Sequence, residues 1–218
     1  NNQVVAGEAR LDWAEFVQKA YMNRVSLSSS GFYATPKIHY DFATGKGHPF
    51  LYYANGAACS EVVLDTLTGE YRVMRTDILH DVGQSLNPAI DIGQIEGGFV
   101  QGMGWLTTEE LVYNDKGRLM TTGPATYKIP AVSDTPPDLR VNLLAASPNR
   151  EATVFRSKAV GEPPLMLGIA VWSALRDAVA SLTDYRYSPP LDTPATPERM
   201  LNAVNAARAW ANTEQETA

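Results

Sequence analysis

Ser157-Lys158-Ala159-Val160-Gly161-Glu162-Pro163-Pro164-Leu165 is the stretch from which the rest of the chain can be read. It sets one carboxylate between a residue without a side chain and two consecutive prolines. Pro163 should push Glu162 out of the α region, and Pro164 should do the same to Pro163. Gly161 lets another group come close to the backbone. Leu165 to Leu182 is then a long apolar run that reads as a buried helix, with Pro164 in a first turn where its missing N–H costs nothing. Glu162 is therefore expected on a stiff turn aimed past a helix N-terminus. Two roles fit such a residue. It can complement the helix dipole, or it can be a general base held by a prolyl clamp.

Working back along the chain, Asn87-Pro88 opens a second helix, with Asn as cap and Pro at the first position, running from Ala89 to Trp105. It carries Gly93, Gly97, Gly98, Gly102 and Gly104. Each costs about 1 kcal/mol against Ala in a helix interior. Either tight packing against another element or close approach of a ligand would offset that cost. Gln94, Glu96 and Gln101 are the polar groups on this thin surface. The spacing is not the G-x-G-x-x-G dinucleotide fingerprint.

Further elements follow from pattern. Asp12 caps a helix to Arg24, with Trp13, Phe16, Val17, Ala20 and Tyr21 at helical spacing. Ser26–Gly31 is the expected internal boundary between lobes. Pro49–Asp65 and Tyr71–Asp81 read as a hairpin about Thr68-Gly69, apolar on both faces and so expected in mid-sheet. A second hairpin is expected at Leu111–Thr121, and further strands at Leu139–Leu144 and Ala152–Phe155. Thr196-Pro197 starts a last helix to about Trp210. Strands and three or four helices mix without a β-α-β alternation, which predicts α+β with mixed sheets.

Composition narrows the function classes. The 218 residues are 44% hydrophobic and 19% charged, enough for a real core. The net charge of −6, with no basic stripe, argues against nucleic acid as a partner. No charge-free apolar run reaches membrane-spanning length, and no signal peptide is expected before Asn1. Cys59 is the only cysteine, so a four-thiolate iron–sulfur or zinc site within the chain is excluded. His39, His48 and His80 lack metal-ligand spacing, so no metal ligand is expected. A reducing, cytoplasmic setting is the natural reading.

Four stretches together carry a resemblance: Phe50–Glu61 (FLYYANGAACSE), Arg75–Gly97 (RTDILHDVGQSLNPAIDIGQIEG), Gly123–Ala131 (GPATYKIPA) and Ser157–Leu165 (SKAVGEPPL). They are collinear from about Gly31 to Pro197. The chain resembles the C-terminal part of the molybdopterin-binding domain in the xanthine oxidase family of molybdenum hydroxylases. The resemblance implies a molybdenum–pterin cofactor and a G-E-P-P glutamate, here Glu162, that deprotonates the hydroxide on the metal. It further implies oxidation of hypoxanthine to xanthine and of xanthine to urate. Electrons leave through 2Fe-2S clusters and FAD to NAD. By the same resemblance Gln94 hydrogen-bonds the cofactor, Gly161 lies with its backbone at the metal's ligands, and Val160 walls the site. Lys158 is expected to be structural.

The chain shows no iron–sulfur cysteines, no flavin segment and none of the earlier part of the molybdenum domain that holds the family's substrate-clamping groups. The expectation is therefore a fragment, residues 1–218, of a larger and dimeric enzyme. Its partners would be the rest of the molybdenum domain and the iron–sulfur/flavin portion, with a purine as substrate. By itself it should be inactive. The competing readings are a related hydroxylase of aldehydes or other N-heterocycles, and a non-catalytic assembly piece.

Overall fold

The computed structural model describes residues 2–217, with side-chain surroundings to residue 214. The chain divides into two compact units, Asn1–Pro49 and Phe50–Ala218. The division thus falls at Pro49/Phe50 and not at the serine-rich 26–31 connection, because strands β3 and β4 keep the chain up to His48 folded on itself.

The first unit holds two small hairpins and a helix. Strands β1 (Gln3–Ala6) and β2 (Ala9–Asp12) pair antiparallel, as do β3 (His39–Asp41) and β4 (Lys46–His48). Helix α1 spans Trp13–Met22, and the Asp12 carboxylate accepts from the Ala14 N–H at 3.2 Å. None of its residues is buried.

The second unit contains the core. Strands β5 (Gly56–Leu64), β6 (Tyr71–His80) and β7 (Asp138–Leu143) form one mixed sheet in the order β5-β6-β7. β5 and β6 are antiparallel with an irregularity between Glu61 and Val62, while β6 and β7 are parallel. The predicted hairpin is therefore present, but only β6 is central; β5 is an edge of this sheet, and residues 49–55 are not strand. A parallel pair needs a long crossover, and α2 (Pro88–Thr107) lies within it. One β-α-β connection thus sits inside an otherwise α+β fold.

Three helices supply the apolar side. α2 buries Ile95, Phe99 and Met103; α3 (Ile169–Ala180) buries Val171, Leu175 and Val179; α4 (Pro197–Thr217) buries Met200, Val204 and Ala207. In each the spacing is three or four residues, the period of one helix face. They meet Val73 and Ile78 of β6 in a single cluster. α4 runs past Trp210, where the sequence suggests an end, to Thr217.

Three expectations need correction. Leu165–Leu182 is not one helix: Pro163–Gly168 is a 3-10 turn and the α-helix begins at Ile169. Ala152–Phe155 is not a strand, because Val154–Arg156 closes a 3-10 turn with Phe155 at φ 49°. Asn149 drives that turn, its side-chain amide donating to the Ser157 carbonyl at 3.3 Å. The second hairpin is reduced to a bridge between Tyr113 and Leu119.

The span Pro163–Thr183 is long and apolar enough to cross a membrane by length and composition. Here it changes from 3-10 turn to α-helix after Gly168 and gives its Val171, Leu175 and Val179 face to the core. Large apolar side chains stay exposed elsewhere, among them Phe32 at 94% and Val132 at 90%.

Candidate active site

The site is built where the Ser157–Gly168 segment crosses α2. Downstream of Glu162, the 3-10 turn sits in a notch of the helix. A Cβ added to Gly98 would come 2.9 Å from the Pro164 Cβ, and one added to Gly102 would collide with the Leu165 carbonyl. On the turn side, a Cβ at Gly168 would strike the backbone of Gly102 and Met103. Side chains are missing from both partners where the backbones touch.

Upstream, the segment lies on the continuation of β6. The Lys158 N–H donates to the Val82 carbonyl at 2.8 Å, and the Gln84 N–H to the Arg156 carbonyl at 2.9 Å. Gly83, at φ 66°, has no room for a Cβ against the Arg156 carbonyl. The Lys158 ammonium donates to the Asp81 carboxylate at 2.5 Å and to the Tyr53 carbonyl at 3.0 Å. The Ala159 N–H donates to the Tyr52 hydroxyl at 3.0 Å. Lys158 is thus an internal strut, as expected.

Burial of Asp81 favours its neutral form. The Lys158 ammonium and the Gly83 N–H outweigh that and hold its carboxyl below the usual range. Next to it, His80 is buried and its basicity is lowered, chiefly by desolvation. Its Nδ1 lies 3.0 Å from the Asn55 carbonyl, so Nδ1 carries the proton and donates; Nε2 is buried without a partner among the described residues.

The four residues singled out from sequence fall as follows. Gln94 and Gly161 meet: a Cβ on Gly161 would lie 3.5 Å from Gln94 Oε1. Gln94 is exposed, and its amide makes no hydrogen bond among the described residues. Val160 is half-buried and packs on the core. Glu162 is exposed at the start of the turn, where its carbonyl accepts from the Leu165 N–H at 3.1 Å. The prolines do not hold Glu162 out of the helical region: it sits at φ −102°, ψ −38°. Its pre-proline strain is borne by the fit of Pro164 and Leu165 into the α2 notch.

Sequence reasoning missed Asp81, Gly83 and Tyr52, which tie this segment down. An Asp-x-Gly turn after a strand is a local signal for the first two; the third has none. A cavity of about 940 Å³ lies between β5 and α3 and touches none of Gln94, Val160, Gly161 or Glu162. Among the described residues no three His, Cys, Asp or Glu side chains are grouped to hold a metal. The residues fit a cofactor: an amide that makes no hydrogen bond among the described residues lies beside glycines whose Cβ positions are open, Gly93 and Gly97.

The chain belongs to the molybdopterin cofactor-binding domain family, whose sequence model matches residues 1–136. More particularly, it is a homologue of xanthine dehydrogenase/oxidase. It is 54% identical to that protein from Gallus gallus over 194 residues, 88% of this chain and 14% of the relative. It is 48% identical to xanthine dehydrogenase from Oryza sativa subsp. japonica over 204 residues, 88% of this chain and 15% of the relative. The chain thus spans about one-seventh of the relatives it matches. Among solved structures it is similar to quinoline 2-oxidoreductase from Pseudomonas putida 86, with TM-score 0.66 and 29% identity over 94% of this chain and 25% of that one. It is also similar to aldehyde oxidoreductase from Desulfovibrio gigas, with TM-score 0.60 and 31% identity over 77% of this chain and 17% of that one.

Proposed function

We propose that this chain is the part of a purine-oxidising molybdenum hydroxylase that supplies its general base, Glu162, and a cofactor-binding amide, Gln94. The observation that carries the reading is the meeting of Gln94 with Gly161, one residue before Glu162. When bound, the molybdenum–pterin cofactor supplies the redox centre at which an electron-poor purine carbon is hydroxylated. Gln94 offers two donors and an acceptor, which suits a pterin edge that presents both kinds of group. Gly161, Gly93 and Gly97 leave room for a flat ring system beside it. Val160 backs Gly161 from the core side. Glu162 takes up the proton of the attacking oxygen, which requires the carboxylate within about 2.6–3.2 Å of it.

In the complete enzyme the remaining molybdenum domain covers Glu162 and supplies the purine-clamping groups. The iron–sulfur/flavin portion carries 2Fe-2S clusters and FAD and passes electrons to NAD. The reactions are hypoxanthine to xanthine and xanthine to urate, in a reducing cytoplasmic setting and a dimeric assembly. Purified alone, the chain should form no urate. The central test is Glu162→Gln in the complete enzyme. Turnover should fall by on the order of 10²–10⁴ or more with molybdenum retained. A wild-type rate would sink the base assignment, and a loss confined to thermal stability would mark Glu162 as structural.

A second reading is favoured by the likeness to quinoline and aldehyde oxidoreductases. The same base would then serve another N-heterocycle or an aldehyde. Relative kcat/KM for xanthine, quinoline and an aromatic aldehyde separates the two.

A further inference from the structure

We propose that Asp81 and Lys158 are positioning residues for the base, a reading that rests on Glu162 having that role. The side chain of Glu162 is exposed and makes no hydrogen bond among the described residues, so its position is set by the backbone on either side. Downstream the backbone is fixed at Pro164 and Leu165 by the α2 notch. Upstream it is fixed at Lys158 and Ala159, through Asp81, Tyr53, Val82 and Tyr52. Between these anchors lie Val160, Gly161 and Glu162, with Pro163 leading into the notch.

The upstream anchor is built around one carboxylate. Asp81 Oδ1 accepts the Gly83 N–H at 2.9 Å, and Oδ2 accepts the Lys158 ammonium at 2.5 Å. The side chains of Lys158 and Asp81 are only 12% and 8% exposed. Gly83 is also where the chain of Arg156–Lys158 rests. The same carboxylate therefore shapes the support and grips the segment it supports. Without the pair, a buried charge loses its partner and the segment loses its upstream clamp. Gly161 would then pivot away from Gln94, and Glu162 would move with it.

The consequence is kinetic. A misplacement of about 1 Å caused by a change away from the reacting atoms can cost on the order of 10²-fold in rate. Asp81→Asn keeps shape and the acceptor for Gly83 but removes the charge. Lys158→Met removes the other half, and Lys158→Arg restores it.

The experiment uses the complete molybdenum enzyme with xanthine, scoring kcat, KM and molybdenum content for each variant. Asp81→Asn and Lys158→Met should lower kcat by about 10- to 100-fold, with KM and molybdenum content unchanged. That pattern marks loss of an interaction that matters only in the transition state. Lys158→Arg should recover most of the rate. Asp81→Asn combined with Glu162→Gln should be no slower than Glu162→Gln alone, because a displaced base and an absent base have the same effect. The inference is overturned if kcat is unchanged, if the two losses multiply, or if all three single variants lose rate in proportion to molybdenum. Glu162→Gln at the wild-type rate would remove the base assignment and this inference together. A slow Glu162→Gln beside a fast Asp81→Asn would remove this inference alone.

Discussion

On one side of α2, Gly98 and Gly102 lie against Pro164 and Leu165; on the other, Gly93 and Gly97 have nothing within 4 Å of where a Cβ would stand. Both pairs have the same four-residue spacing, and each glycine costs the helix about 1 kcal/mol relative to Ala. On the first side the cost is offset inside the chain, because two backbones approach more closely than side chains would allow. On the second side no described residue lies close enough to offset it, and Gln94 lies on that open stretch beside Gly161.

The sharpest way to break the comparison is Gly102→Ala. Its Cβ would run into the Leu165 carbonyl, a backbone atom that cannot swing aside. Overpacking of this kind costs typically 1–3 kcal/mol, and the rigid neighbour puts it near about 3 kcal/mol before the helix gains from Ala. Thermal unfolding of the complete enzyme should begin several degrees lower, and turnover should fall because Glu162 rides on the displaced turn. An unchanged melting curve would show that the notch does not hold the turn.

Gly98→Ala should be milder. The nearest atoms to its Cβ are Pro164 Cβ at 2.9 Å and Leu165 N at 3.2 Å, so the turn has to shift, but by less than at Gly102. With the gain in helix propensity set against that strain, the net loss is expected at about 1 kcal/mol. Differential scanning calorimetry should rank it between wild type and Gly102→Ala; a larger effect than at Gly102 would reverse the order of contact.

This graded series also shows where the sequence is legible. The start of α2 can be read almost to the residue, because Asn87 and Pro88 act locally: the Asn87 carboxamide accepts the Ile90 N–H at 3.4 Å. The β5–β6 hairpin and the three- and four-residue spacing of the core faces are equally local. The glycines advertise close approach but not to what, and only the folded chain separates the notch from the open side. The conformation of Glu162 was misread for the same reason. A pre-proline rule favours extended backbone, but tertiary packing of Pro164 and Leu165 against α2 overrides it. The clamp at Lys158 could not be read at all, since its partners Asp81 and Tyr52 lie 77 and 107 residues away from the groups they hold. Gln94 and Gly161, by contrast, came from a family pattern, and the fold brings the Cβ position of Gly161 to 3.5 Å from Gln94 Oε1 although 67 positions separate them (161 − 94).

Gly97→Ala has the smallest expected effect on stability and says most about the open side. No described residue meets its Cβ, so the substitution should raise helix stability by up to about 1 kcal/mol. If that face holds the pterin cofactor, the added methyl group takes space the ring needs. The prediction is therefore a split: a melting temperature at or slightly above wild type for the protein without cofactor, and a lower molybdenum content after reconstitution. Measuring both on one preparation distinguishes a ligand face from a bare one. A gain in stability with full molybdenum content would mean that the glycine is not kept for the cofactor, and Gly93→Ala, one turn nearer Asn87, would be the next position to test.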